Sequence, residues 1–211
     1  QNMNPEDEDV KTTKQLKVIF IGPPGAGKTS IVRRYTNGTF SQDYRCSIGL
    51  QFSTKHIQLN DQKDVDLHLW DIAGQDRNIA LNRDFFQFSV AAFIVADITD
   101  PKSLKEALLW KKAVCEKVFT SNKETIPSIL LANKVDLISN DVIGFIEDDL
   151  NNFYSENGFL AYYKTSAFGD IGIDNAILNT VNYIINNNIE PLDEHTKPEE
   201  EEEKESGCRF C

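Results

Sequence analysis

The chain has 211 residues, 40% hydrophobic and 26% charged, enough for one packed domain with tails. Its formal charge is −11, but residues 1–14 carry −2, residues 190–206 carry −7 and Arg209 carries +1, which leaves the middle near −3. A near-neutral middle without a basic face argues against a nucleic-acid binder, the lack of a polybasic run argues against electrostatic attachment to anionic lipid, and no stretch reaches the roughly 18 apolar residues of a membrane span.

In chain order, residues 1–14 read as a solvated, disordered acidic extension carrying Glu6, Asp7, Glu8 and Asp9. They lack the basic-then-apolar pattern of a secretory signal. Leu16–Ile21 reads Leu-Lys-Val-Ile-Phe-Ile, a buried strand ending at Gly22, and Thr29–Tyr35 opens a helix. Between them, Gly22-Pro23-Pro24-Gly25-Ala26-Gly27-Lys28-Thr29 fits G-x-x-x-x-G-K-[ST] in the strand-to-helix context this motif requires. The chemistry is backbone N–H groups aimed at phosphate oxygens, aided by the positive end of the helix. Pro23 and Pro24 have no N–H, so Gly25, Ala26, Gly27, Lys28 and Thr29 must supply the cradle. Lys28 then reaches the terminal phosphates and the Thr29 hydroxyl ligates Mg²⁺. The competing reading is a Gly-rich turn; the full spacing and context favour the phosphate loop.

Leu50–Leu59 and Val65–Trp70 alternate apolar and polar residues around Asn60-Asp61, as a hairpin would. The second run ends in Trp70-Asp71-Ile72-Ala73-Gly74-Gln75. Asp71, at a strand end, can bind Mg²⁺ through water; Gly74 can offer its N–H to a γ-phosphate; Gln75 can orient an attacking water. Val90–Ala96 and Ser128–Ala132 are continuous apolar strands of the kind buried on both faces. A helix opened by Asp100-Pro101 runs from Ser103 to Phe119.

Asn133-Lys134-Val135-Asp136 follows the strand at 128–132. The Asp136 carboxylate can accept both N–H groups of guanine N1 and N2, a donor pair that adenine lacks, while Asn133 and Lys134 brace the loop. An ordinary polar loop is the alternative, disfavoured beside the phosphate loop. Helical patterns at 146–156 and 174–186 flank a short strand at Phe159–Tyr163. Strands alternating with helices predict an α/β domain over 15–187, with ligands bound at the carboxyl ends of its strands. Residues 188–211 read as a disordered acidic tail ending Gly207-Cys208-Arg209-Phe210-Cys211. Four cysteines, two of them in this ending, give no disulfide framework and suit a reducing cytosol.

Five segments in order, Gly22–Thr29, Ser47-Ile48-Gly49, Asp71–Gln75, Asn133–Asp136 and Thr165-Ser166-Ala167, resemble the nucleotide motifs of a Ras-superfamily GTPase. Arg34-Tyr35, Phe40, Tyr44-Arg45 and Ser47-Ile48-Gly49 resemble the Rab family. Ile72, Phe93-Ile94-Val95 and Leu131–Lys134 are similar to its subgroup serving lysosome-related organelles. The resemblance implies a P-loop G domain: a mostly parallel six-stranded sheet with one antiparallel edge strand and helices on both faces.

It further implies that Lys28 and Thr29, with Ser30 beside them, hold phosphate and Mg²⁺. Phe40 packs edge-on against guanine, Tyr44 covers the phosphates, and Ser47 replaces a switch Thr on Mg²⁺ and the γ-phosphate. Ser166 and Ala167 reach guanine O6. Ile48, Phe52, Trp70 and Phe85, with Phe86 beside them, form an effector surface, against the simpler reading of core packing. Cys208 and Cys211 accept prenyl groups, against the alternative of a C-x-x-C metal or redox pair.

Three departures stand out: Pro24 for a Gly or small polar residue, Phe168 for a Lys lying along the base, and Asp76 for a Glu beside Gln75. The implied activity is slow hydrolysis of GTP to GDP with Mg²⁺, switching effector binding in vesicle traffic. The implied site is the cytosolic face of endosomes, lysosome-related organelles or phagosomes. Implied partners are an exchange factor, an activating protein, a GDP-dissociation inhibitor, the prenylation escort machinery and effectors, around a monomeric G domain. The alternatives are a hydrolysis-impaired, GTP-bound recruitment module, motivated by Pro24 and Ser47, and a P-loop metabolite kinase, which Asn133–Asp136 argues against.

Overall fold

The computed structural model describes residues 12–41, 49–59, 63–74, 83–139 and 149–192. Six strands form one sheet: β1 (Thr12–Ile21), β2 (Leu50–Gln58), β3 (Lys63–Ile72), β4 (Ser89–Asp97), β5 (Ser128–Asn133) and β6 (Ala161–Thr165). Their order is β2-β3-β1-β4-β5-β6. Only β2 runs antiparallel, pairing Leu50 to Ile72 through Gln58 to Asp64 on β3; the other pairings are parallel. The expected mostly parallel sheet with one antiparallel edge is therefore present.

Why β1, β4 and β5 occupy the middle follows from their side chains. Successive residues of a strand point to opposite faces. Val18 and Phe20 enter one apolar layer and Ile19 and Ile21 the other, all fully buried. The first layer is closed by α1 (Lys28–Asn37) and α5 (Ile173–Asn186), whose Ile31, Ile177 and Val181 turn inward. The second is closed by the short α2 (Arg83–Phe86), by α3 (Pro101–Cys115) and by helical residues 149–156 (α4). Phe20 and Phe93, neighbours on β1 and β4, stack with centroids 4.8 Å apart.

Several boundaries differ from the sequence expectation. β1 begins at Thr12, inside the segment read as an extension. α3 starts where Asp100 accepts the Lys102 N–H and Pro101 takes the first turn, but stops at Cys115, short of Phe119. Residues 119–125 instead close on themselves, with Phe119 bridging Thr125. β6 lies two residues later than expected, because Phe159 packs against Phe153 at 6.2 Å rather than entering the sheet. Residues 188–192 stay on the domain. The Ser121 N–H donates to Glu190 O, the Leu192 N–H donates to Phe119 O, and the Lys14 ammonium pairs with Glu190.

The carboxyl ends of β1, β3, β5 and β6 meet at one edge of the sheet. There the loops at 22–27, 73–74, 134–138 and 166–172 gather. Parallel strands with helical crossovers leave a crevice at this edge.

Candidate functional site

The phosphate loop curls around its own lysine. Lys28 is 6% exposed, and its Nζ donates to Gly22 O and Pro23 O, both at 2.9 Å. The loop turns into α1 at Gly27, whose φ of 99° belongs to the left-handed region that glycine tolerates. A Cβ there would lie 2.3 Å from Asn133 Nδ2. Gly27 offers no side-chain cap and the first turn of α1 holds no acid. The N–H groups of this helix end thus face no built-in competitor for an anion. Ala26 is buried, Gly25 is exposed, and Ser30 is half-buried in the first turn.

β3 brings Asp71 to the same place. It is 1% exposed; its Oδ2 accepts from the Thr29 hydroxyl, and its Oδ1 is buried with no protein partner. Burial pushes the Asp71 carboxyl above its usual range, against the pull of the Thr29 hydroxyl, Lys28 and Arg33. A buried carboxylate oxygen without a donor, beside a threonine hydroxyl, suits a hard divalent cation. Gly74 follows at close quarters: a Cβ on it would meet Gly22 O at 2.5 Å and Lys28 Nζ at 2.8 Å. That spot has room for backbone only, so an N–H can approach a phosphate there and a side chain cannot.

The loop after β5 is joined to the loop after β1 through the Asn133 side chain. Asn133, 2% exposed at the end of β5, donates from Nδ2 to Ala26 O at 2.8 Å. Its Oδ1 accepts from the Thr165 hydroxyl at 3.3 Å. Lys134 sits at φ 70° and pairs with Asp97. Burial raises the Asp97 carboxyl, but Lys134 and Thr99 outweigh it and hold the group below its ordinary value. Asp136 is exposed, and one of its oxygens accepts from the Ser166 hydroxyl. Ser166 Oγ in turn accepts the Gly169 N–H at 2.8 Å, and Ser166 and Ile171 exchange backbone hydrogen bonds at 3.0 Å. Asp136 is thus aimed by a closed loop rather than left to rotate.

Phe40 and Phe168 meet edge to face, with centroids 5.5 Å apart and planes at 81°. Phe168 is 55% exposed, so the position read as a departure is an open aromatic face. Arg34, at the end of α1, donates to Ala167 O, Phe168 O and Gly38 O. An arginine in the last turn of a helix is commonplace, and the Rab resemblance of Arg34-Tyr35 does not tell that it bonds the loop at 167–168.

Beside the site, Phe52 on β2 is 55% exposed and makes edge contacts with His68 at 5.4 Å and Trp70 at 5.9 Å. Trp70 is half-buried, with the Lys17 ammonium 3.7 Å above its ring. Burial brings the Lys17 pKa down to about 8. Phe85 is half-buried, while Phe86 is fully buried in the core and belongs to packing, not to the surface. Tyr44, Ser47, Ile48, Gln75, Asp76, Cys208 and Cys211 lie outside the described residues. Among the described residues no helix is long and apolar enough to cross a membrane.

The family model "Ras family" matches residues 17–186. Among curated proteins, the chain is 38% identical over 172 residues to Ras-related protein Rab-32B of Dictyostelium discoideum. That match covers 81% of this chain and 65% of that protein, so the chain spans just under two thirds of that relative's length. Human Ras-related protein Rab-32 is 38% identical over 172 residues, covering 82% of this chain and 76% of the relative. Human Ras-related protein Rab-7L1 is 34% identical over 177 residues, covering 84% and 86%.

Proposed function

Since the chain belongs to the Ras family of small GTPases, in its Rab group, we propose that it cycles between GTP- and GDP-bound forms at the edge described above. The observation that carries this reading is Asn133, which bonds Ala26 of the phosphate loop and Thr165 beside the base loop, making one continuous site. Phosphates lie on the backbone N–H groups of Gly25, Ala26, Gly27, Lys28 and Thr29, with Ser30 adjoining. Guanine lies against the Asp136 carboxylate and the Ala167 N–H, flanked by Phe40 and Phe168. Lys134 holds the loop under it and Tyr44 covers the phosphates.

Thr29, Ser47 and Asp71 hold Mg²⁺, and the orphaned Asp71 Oδ1 supports that assignment. When bound, Mg²⁺ neutralises charge on the phosphate oxygens. The Lys28 ammonium adds positive charge where the leaving phosphates become more negative. Gln75 orients water for in-line attack on the γ-phosphorus. Gly74 offers its N–H to the γ-phosphate and relaxes once that phosphate leaves. Hydrolysis is slow until a partner supplies an arginine to the γ-phosphate, worth about 10³–10⁵ in rate.

Loss of the γ-phosphate changes the surface around Ile48, Phe52, Trp70 and Phe85, which is where effectors read the state. Prenyl groups on Cys208 and Cys211 hold the protein on endosomal, lysosome-related or phagosomal membranes. The acidic tail and missing polybasic run leave lipid as the attachment, and two chains give stable anchoring. An exchange factor, an activating protein, a GDP-dissociation inhibitor and the prenylation escort follow as partners.

Extraction and chromatography of the nucleotide from freshly purified protein tests the reading. About one GDP or GTP per chain supports it. Bound ATP, or no affinity for guanine nucleotides with Mg²⁺, sinks it. Pro24, exposed on the rim of the phosphate loop, favours a second reading in which GTP is held and barely hydrolysed. Single-turnover hydrolysis separates the two.

A further inference from the structure

Arg34 makes a connection that the phosphate and base motifs do not explain. Its guanidinium spans three carbonyls from two distant parts of the chain. Nε donates to Ala167 O at 2.9 Å, Nη2 donates to Phe168 O at 3.2 Å, and Nη1 donates to Gly38 O at 2.8 Å. Gly38 is the residue that ends α1, at φ 67°, and it lies two positions before Phe40. Ala167 and Phe168 are the middle of the base loop.

The rest of that loop is fixed from its other side. Ser166 reaches Asp136, and Ile171 pairs back on Ser166. Arg34 is a polar link between the loop and the chain leaving α1. Phe40 and Phe168, the two rings it holds in register, touch edge to face 5.5 Å apart. With Phe168 more than half exposed, packing alone restrains that ring weakly. A planar guanidinium with donors on two edges is suited to such a bridge; an ammonium can aim at one carbonyl at a time without the fork.

We infer that Arg34 is a positioning residue that sets the spacing of the Phe40–Phe168 aromatic pair and thereby governs how fast the bound guanine nucleotide is released. This rests on the GTPase reading above and adds to it a determinant of nucleotide residence. The link joins the exit of α1, which leads toward the switch segment, to the base loop. Any partner that pulls the chain at 38–41 away from the domain strains the Arg34 Nη1–Gly38 O hydrogen bond, and through the shared guanidinium disturbs its bonds to Ala167 O and Phe168 O. Phe168, in place of a cation along the base, makes the cleft depend on ring contact and hence on this strap.

The test is the dissociation rate of N-methylanthraniloyl-GDP from the full chain with Mg²⁺ present. The active fraction and the association rate are measured alongside. Arg34→Lys is expected to raise the dissociation rate about tenfold, the loss of one to two hydrogen bonds. Arg34→Ala raises it further, and Phe168→Leu raises it by itself. The double variant Arg34→Lys/Phe168→Leu dissociates no more than about twofold faster than the faster single variant, because both changes open the same contact. A general loss of stability would instead lower the active fraction and combine multiplicatively.

If Arg34→Ala does not fold, the Lys and Leu variants still decide the matter. A dissociation rate within twofold of wild type for Arg34→Lys, or fully multiplicative effects, overturns the inference while tight wild-type binding leaves the GTPase reading standing. Absence of GDP binding by the wild type overturns both.

Discussion

The nucleotide edge and the β2–β3 edge are parts of one sheet, yet they are built in opposite ways. At the nucleotide edge, polar side chains are tied to backbone: the buried Asn133 to Ala26 and Lys28 to Gly22 and Pro23, and the half-buried Arg34 to Ala167 and Phe168. At the β2–β3 edge, Phe52 is left more than half in solvent and makes edge contacts with His68 and with the half-buried Trp70. The first arrangement fixes donors and acceptors before a ligand arrives, so recognition costs little reorganisation. The second leaves apolar area that a partner must cover. Under the proposed function, a switch needs a rigid reader and an adaptable display, and the two edges of this sheet differ in that way.

Changes at the rigid edge should be severe for binding and mild for folding. Asp136→Ala is expected to weaken GDP binding by about 10³-fold, as a buried guanine donor pair loses both acceptors. Its melting temperature without nucleotide should hardly move, since Asp136 is exposed; isothermal titration and thermal melts check the two halves. If the affinity loss were under tenfold, the rigid-reader side of the comparison would be wrong.

Gly27→Ala should follow in size. The added Cβ would lie 2.3 Å from Asn133 Nδ2 at a φ of 99°, so the link between the phosphate and base halves must break or shift. Binding should drop by about 10–10²-fold together with a stability loss of about 1–2 kcal/mol, read by nucleotide titration and urea unfolding.

The display edge should respond to pH instead. The Lys17 ammonium lies over Trp70 and donates to Gln87 O at 2.7 Å, and burial lowers its pKa from 10.5 to about 8. The folded chain therefore sheds this proton before the unfolded one. Lys17 thus costs stability below about pH 8, and that cost fades as pH rises toward the unfolded value. The Trp70 emission should titrate with a midpoint near pH 8, and Lys17→Met should abolish the transition. A flat profile in the wild type would contradict the packing of ammonium on indole.

The smallest effect on folding is expected at Phe52. Its 55% exposure predicts that Phe52→Ala changes unfolding free energy by no more than about 0.5 kcal/mol. Yet capture of a partner selective for the GTP form should be lost. A large stability loss would move Phe52 from display to core and erase the contrast.

Much of this was legible in the chain itself. The strands at 90–96 and 128–132 read as buried because they are continuous apolar runs, and 16–21 because Lys17 alone interrupts its run; they are the middle of the sheet. Asp100-Pro101 marked the start of α3 through local capping chemistry. Local patterns failed where distant contacts decide. α3 ends early because 119–125 finds its partners in 190–192, and β6 starts late because Phe159 is drawn to Phe153. Phe86, read beside Phe85 at the effector surface, is fully buried in the layer beneath the sheet, while Phe85 stays half-buried at its margin.

By itself the sequence determined the strand–helix alternation, the phosphate and base motifs and so the class of ligand, because those depend on residue type at short spacing. The tertiary structure alone decided that Asn133 fuses the two halves of the site, that Arg34 straps the base loop and that Asp71 keeps an oxygen without a donor. Such contacts join residues more than a hundred positions apart in the first two cases. No local pattern encodes them; they exist only once the sheet has brought the strand ends together.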